Sequence, residues 1–125
     1  MKLNLGQKYS RREISKRIGG STVAYLPYKD GKVLCGCFDP SPRFNPGAPE
    51  EVLFGSGPIV EETAEIISRQ GTPIPVFIYR APAKWEYVGN YLCVGLWHDP
   101  KLLKQRMQMY PERGEIVGAL RFKKV

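Results

Sequence analysis

Lys84-Trp85-Glu86-Tyr87-Val88-Gly89-Asn90-Tyr91-Leu92-Cys93-Val94-Gly95-Leu96-Trp97 is the stretch on which the fold turns. It is rich in aromatic and β-branched residues and carries no proline, which favours extended chain over helix. Read with a period of two, Trp85, Tyr87, Tyr91 and Trp97 share one parity, and Val88, Leu92, Val94 and Leu96 share the other. The stretch therefore reads as one long strand, or as two strands about a bend at Gly89-Asn90. The aromatic parity has two outcomes. Rings around the side-chain-free Gly89 can form an open stacking surface, or they can be covered and belong to the core. A bulge at Gly89 would reverse the parity of everything beyond it.

Working outward, Pro73-Ile74-Pro75-Val76-Phe77-Ile78-Tyr79 reads as a second strand, at an edge where its prolines fall. Glu115 to Lys123 closes the chain as a third. Between the long strand and this one, Asp99-Pro100 has the form of a helix cap followed by a first-turn proline, opening a helix to about Met109. Upstream, Ser56 and Pro58 open a helix with Ile59, Val60, Thr63, Ala64, Ile66 and Ile67 inside and Glu61, Glu62 and Glu65 outside. Nearer the N-terminus, Ser10-Arg11-Arg12-Glu13 is a capping box, and the helix it starts should stop at Gly19-Gly20. Residues 22–27 and 32–38 read as strands joined through Asp30-Gly31, a hairpin signal, with Val33, Cys35 and Cys37 on one face. Residues 39–51 hold Pro40, Pro42, Pro46, Gly47 and Pro49, and form a loop long enough to suggest function. About six short strands and three helices without βαβ alternation predict an α+β fold, a small, curved, mostly antiparallel sheet or barrel flanked by helices.

The 125 residues fit a single domain over 1–125. A formal net charge of +7 is unevenly spread: residues 1–32 carry +6, residues 33–65 carry −5, and residues 66–125 carry +6. The basic segments suit a polyanion partner, DNA or RNA, and the mixed signs make the surface dipolar. No apolar run is long enough for a membrane helix. An odd cysteine count and an N-terminus without an apolar signal core point to the reducing cytoplasm.

Among residues that could carry chemistry, Trp85, Tyr87 and Tyr91 are candidates for stacking on a base. Gly55-Ser56-Gly57 ahead of Pro58 offers backbone amides at a helix start, where an anion or ligand edge can sit. Arg11, Arg12, Lys16, Arg17, Arg80 and Lys84 are candidates for phosphate contacts. Arg106, amid Leu102, Leu103, Met107 and Tyr110, reads as a snorkelling side chain. Cys35, Cys37, Cys93 and His98 are the only thiols and imidazole. Their spacing matches no metal signature, so neither metal nor cofactor is expected. No nucleophile–base pair declares itself, which weighs against an enzyme.

Taken together, Tyr9-Ser10-Arg11-Arg12-Glu13-Ile14, Gly55-x-Gly57-Pro58, Gln70 with Ile74-Pro75-Val76-Phe77, and Trp85-Glu86-Tyr87-Val88-Gly89-x-Tyr91 resemble a small PUA-like or SRA-like domain. Domains of that kind accompany HNH nucleases and helicases of restriction systems. The resemblance spans roughly positions 9–95 and implies a curved barrel that reads modified or flipped bases. Two departures accompany it: no nuclease or helicase segment is present in these residues, and Asn90 stands where a basic residue is expected. The expected function is a non-catalytic nucleic-acid-binding module with an aromatic pocket and a basic rim. The alternative is a protein-interaction module, such as a phage-type inhibitor of a nucleic-acid-targeting defence complex.

Overall fold

The computed structural model describes residues 2–125. Its strands are β1 (Lys8–Tyr9), β2 (Tyr28–Lys29), β3 (Lys32–Val33), β4 (Gly36–Phe38), β5 (Glu51–Phe54), β6 (Ile74–Ala81), β7 (Lys84–Trp97) and β8 (Gly118–Lys124). Its helices are α1 (Arg11–Ile18), α2 (Pro58–Gln70) and α3 (Pro100–Met109), with a short 3₁₀ turn over Pro111–Arg113. Six strands form one curled, mixed sheet in the order β4-β6-β7-β8-β5, with β1 added against the start of β7. Only the β4–β6 pair is parallel. This is the α+β architecture that the sequence predicts.

Three of the local signals operate as expected. Ser10 Oγ accepts from the Glu13 amide at 3.1 Å, while Glu13 Oε1 accepts from the Ser10 amide at 2.9 Å, completing the capping box of α1. Donation from the Ser10 amide, and second from the Ser10 hydroxyl, holds the Glu13 carboxyl below its usual pKa range. Asp99 caps α3 through the Lys101 amide. Asp30 and Gly31 take φ values of 53° and 76°, the two-residue hairpin turn that an Asp-Gly pair favours.

Other expectations change. Residues 22–27 form no strand, and the expected strand over 32–38 breaks into β3 and β4. Val33 consequently packs with Phe38 on the inner side of the sheet, whereas Cys35 and Cys37 face the layer under α1. Arg106 does not snorkel. Its Nε and Nη2 meet the two oxygens of Glu51 at 2.7 and 3.1 Å, a bidentate pair joining α3 to β5.

The main change lies in β7. Phe77 of β6 pairs with Tyr87 and Val76 with Gly89, so two steps of β7 oppose one step of β6. Gly89 sits at φ 122°, a conformation that L side chains rarely adopt. Odd-numbered side chains before this bulge point to one face and those just after it to the other. Trp85 and Tyr87 pack with Tyr9, Ile14, Cys35, Cys37 and Phe77 beneath α1 and β1. Tyr91, only 5% exposed, joins Ile74, Val76, Ile78, Cys93 and Phe122 in the main core under α2. A second slip between Cys93 and Gly95 returns Trp97 to the outer face, near the small core of α3. The expected single aromatic face is therefore split across the sheet.

Replacing Gly89 by Ala should destabilise the fold by about 1–3 kcal/mol, the usual cost of a side chain forced into such backbone geometry. Chemical denaturation of wild type and G89A measures it; an unchanged midpoint would show that the bulge does not need glycine.

Candidate nucleic-acid interface

The sheet curls but does not close. Its two outer strands, β4 and β5, are not paired with each other, and side chains and loop backbone cover the seam between them. On the β4 side, the Cys37 amide donates to the Tyr25 carbonyl at 2.9 Å. On the β5 side, the Leu53 amide donates to Asn45 Oδ1 at 2.6 Å, and Arg113 Nη2 donates to the Leu53 carbonyl at 2.9 Å. Each would have met a neighbouring strand in a closed barrel.

Over this seam lies an open cavity of about 420 Å³, lined by Arg11, Thr22, Val23, Tyr25, Cys37, Asp39, Phe44, Asn45 and Trp85. Three rings, Tyr25, Phe44 and Trp85, stand around its walls. Each is positioned by a different element. Tyr25 Oη donates to the Val60 carbonyl of α2 at 2.6 Å. Trp85 meets Tyr79 edge-on at 5.2 Å and lies under the Arg11 guanidinium, 5.2 Å from its ring centre. Phe44 belongs to the 39–51 loop and is 48% exposed.

That loop is built on Asp39. Its Oδ1 accepts from the Ser41 amide at 2.9 Å, an Asx turn, and its carbonyl accepts from the Asn45 amide at 2.8 Å. Among the described residues no donor engages Asp39 Oδ2. Asp39, whose Oδ2 keeps free acceptor capacity, thus lines the cavity together with the three rings.

Two further hollows adjoin it. One, along α1, is lined by Arg12, Glu13, Ser15, Lys16 and Thr22, and shares Thr22 with the central cavity. The other, of about 200 Å³, shares Tyr25, Phe44 and Asn45 and continues to Leu53, Phe54, Gly55, Ser56, Val60 and Arg113. Together they make a run of connected hollows from the basic face of α1 across the seam.

The candidates from sequence are distributed unequally over this surface. Trp85 and Arg11 line the central cavity, Gly55 and Ser56 the smaller one, and Arg12 and Lys16 the hollow along α1. Arg11 is internally committed: its Nη2 donates to the Ser21 and Ala24 carbonyls at 3.1 and 2.8 Å. Arg17 stacks over Tyr9, and Arg80 pairs with Glu86 at 2.9 Å. Lys84 is exposed at the start of β7. The Gly57 amide is taken by Glu61 Oε2 at 2.9 Å and Ser56 Oγ by Glu115 at 2.8 Å, so the turn is capped from within rather than open as an anion nest. Tyr87 and Tyr91 line neither cavity; Tyr87 donates to Asn90 Oδ1 at 2.7 Å beside a separate, shallow hollow.

Tyr25, Asp39, Phe44, Asn45 and Arg113 were not singled out from sequence. The one available signal was the proline-rich loop, in which Phe44 is an aromatic residue without a periodic partner. The thiols and the imidazole do not converge: Cys93 lies in the main core, Cys35 and Cys37 beneath α1, and His98 hydrogen-bonds to the Val117 carbonyl. Among the described residues, no group of three or more His, Cys, Asp or Glu could hold a metal ion. Among them, too, no helix is long and apolar enough to cross a membrane.

The curled half-barrel of mixed strands with its three helices is an SRA-like fold. It matches the SRA domain of SUVH5 in a complex with hemimethylated CG DNA, at a TM-score of 0.67 and 12% identity over 100% of this chain and 90% of that one. It also matches the modification-dependent restriction endonuclease TagI, at 0.61 and 16% over 98% of this chain and 50% of that one. A third match is the type IV phosphorothioation-dependent restriction endonuclease ScoMcrA, at 0.54 and 12% over 98% and 28%. No curated protein matches the chain significantly. By sequence, residues 8–115 match the model of a domain of unknown function, DUF6697, and the chain belongs to that family.

Burial pushes the Tyr25 hydroxyl up to about 12. A raised phenol favours the folded state while it is protonated, so that contribution is complete below the ordinary pKa of 10 and is lost as pH climbs toward 12. Denaturation at stepped alkaline pH should show stability falling over this interval, with a shallower fall in Tyr25→Phe. An equal slope in both proteins would place the phenol in water.

Proposed function

We propose that this chain is a nucleic-acid-binding module that takes a single base, turned out of a DNA duplex, into the cavity over the β4–β5 seam. The observation that carries this reading is the set of three rings around an acceptor oxygen of Asp39, with the basic side of α1 next to it. Tyr25, Phe44 and Trp85 supply the stacking surfaces, and Asp39 supplies an acceptor for an exocyclic amino group. A single aromatic ring fits a cavity of about 150 Å³, so the hollow has room for a base. Arg12 and Lys16 contact the flanking phosphates, Lys84 adds to the rim, and Arg11 braces Trp85 from behind. Gly55 and Ser56 border the far end. Tyr87 and Tyr91 support the sheet on its two faces. The fold neighbours favour the same reading, since the SUVH5 domain is described in complexes with methylated DNA and TagI as modification-dependent. The role is binding rather than catalysis.

Fluorescence-anisotropy titration of duplexes with and without a central 5-methylcytosine tests the proposal. Phe44→Ala and Trp85→Ala should each weaken binding of the modified duplex by about 5- to 150-fold, the worth of one lost stacking contact. Arg12→Ala and Lys16→Ala should weaken all duplexes alike and each lower the salt slope by about 1. Binding that ignores both ring substitutions and the modification would overturn it.

A further inference from the structure

The smaller cavity differs from the larger in its chemistry. Asn45, 7% exposed, is fixed by its own contacts: Oδ1 accepts the Leu53 amide, which turns Nδ2 away from that bond. Among the described residues Nδ2 donates to no protein group, so the amide is left as a donor. Arg113 donates once, to the Leu53 carbonyl, and its buried Nε has no acceptor. No carboxylate lies within ion-pair distance of it among the described residues. Burial also lowers its pKa, in keeping with a guanidinium short of water. A cation without a counter-charge and an amide with an idle NH₂ line one wall, and the rest is largely apolar, with Phe54 and Val60. Among the described residues, the remaining donors on this wall, Asn45 Nδ2 and Arg113 Nη1, have no protein acceptor and are available to a ligand.

We infer that this cavity is a subsite for a substituent on the bound base, and that it selects a short group ending in an acceptor oxygen, such as hydroxymethyl or carboxyl, over a methyl group. The inference rests on the base-binding reading above and deepens it. The apolar wall accommodates the stem of the substituent, and Asn45 Nδ2 and the Arg113 guanidinium meet its oxygen. A methyl group would occupy the same space and leave both donors unanswered, which is the asymmetry that makes hydrogen-bonding pockets selective.

The test uses four duplexes that differ only in one central base: cytosine, 5-methylcytosine, 5-hydroxymethylcytosine and 5-carboxycytosine. Wild type should bind at least one oxygen-bearing duplex about tenfold more tightly than the methylated one, the effect of one charge-assisted hydrogen bond. Arg113→Met and Asn45→Asp should each erase that preference, read within each variant as the ratio of its affinities for the oxygen-bearing and methylated duplexes. Asn45→Asp retains an oxygen that can accept from the Leu53 amide and replaces the NH₂ donor by a second, charged acceptor oxygen. Circular dichroism confirms that both variants fold. Methylated DNA bound as tightly as the oxygen-bearing duplexes would overturn the inference and leave base capture standing, as would a preference surviving both substitutions. Equal binding of all four duplexes that is also unchanged by Phe44→Ala and Trp85→Ala would remove the base-binding reading, and this inference with it.

Discussion

Strands β4 and β5 end a sheet that curls toward closure without pairing to each other. A backbone edge left in that state must find donors and acceptors elsewhere. Here the Tyr25 carbonyl serves β4, and the side chains of Asn45 and Arg113 serve β5. Side chains and loop backbone fill less volume than a strand would, and the seam is therefore a hollow. The same residues that satisfy the edge line the cavities, so the architecture and the candidate site share one set of contacts. A closed barrel would have hidden Tyr25 and Asn45 behind a sixth pairing and left no mouth.

Holding such a mouth open requires the surrounding loops to be stiff. The segment after α1 is tied down by Arg11, which bonds the Ser21 and Ala24 carbonyls and covers Trp85, and by Ser15, whose hydroxyl donates to the Gly20 carbonyl at 2.7 Å. The 39–51 loop is folded on Asp39 and anchored through Asn45. By contrast, Val23 is 86% exposed and Phe44 48% exposed, and both flank the larger cavity. Rigid backbone with apolar tips facing solvent suits a surface that receives a ring-shaped guest. Arg11 also ties the cavity wall inward, since its Nη2 serves the Ser21 and Ala24 carbonyls.

Much of the local structure was legible in the chain. The Ser10–Glu13 box, the Asp99 cap, the Asp30-Gly31 turn and the length of β7 each depend on a few adjacent residues, and each appears where those residues predict it. The site was legible only in pieces. Trp85, Arg12 and Lys16 were visible because rings in a strand and bases on a helix face follow simple periods. Tyr25, Asp39, Phe44 and Asn45 sit in irregular chain, where no period relates sequence to direction. Tyr91 shows how a period can mislead: a parity count carried across Gly89 put it beside Trp85, and the bulge moved it to the opposite face.

The amino-acid order alone determined the helix boundaries, the hairpin turn, the segregation of charge and the α+β class, since all of these follow from interactions within a few residues or from composition. Which faces of β7 its rings occupy, and that Tyr25, Asp39, Phe44 and Trp85 meet around one hollow, was decided only in the folded molecule. The reason is physical. The register of β7 against β6 selects the bulge at Gly89, and the order of the strands leaves β4 and β5 apart; both depend on pairing between separate segments, which no local pattern encodes.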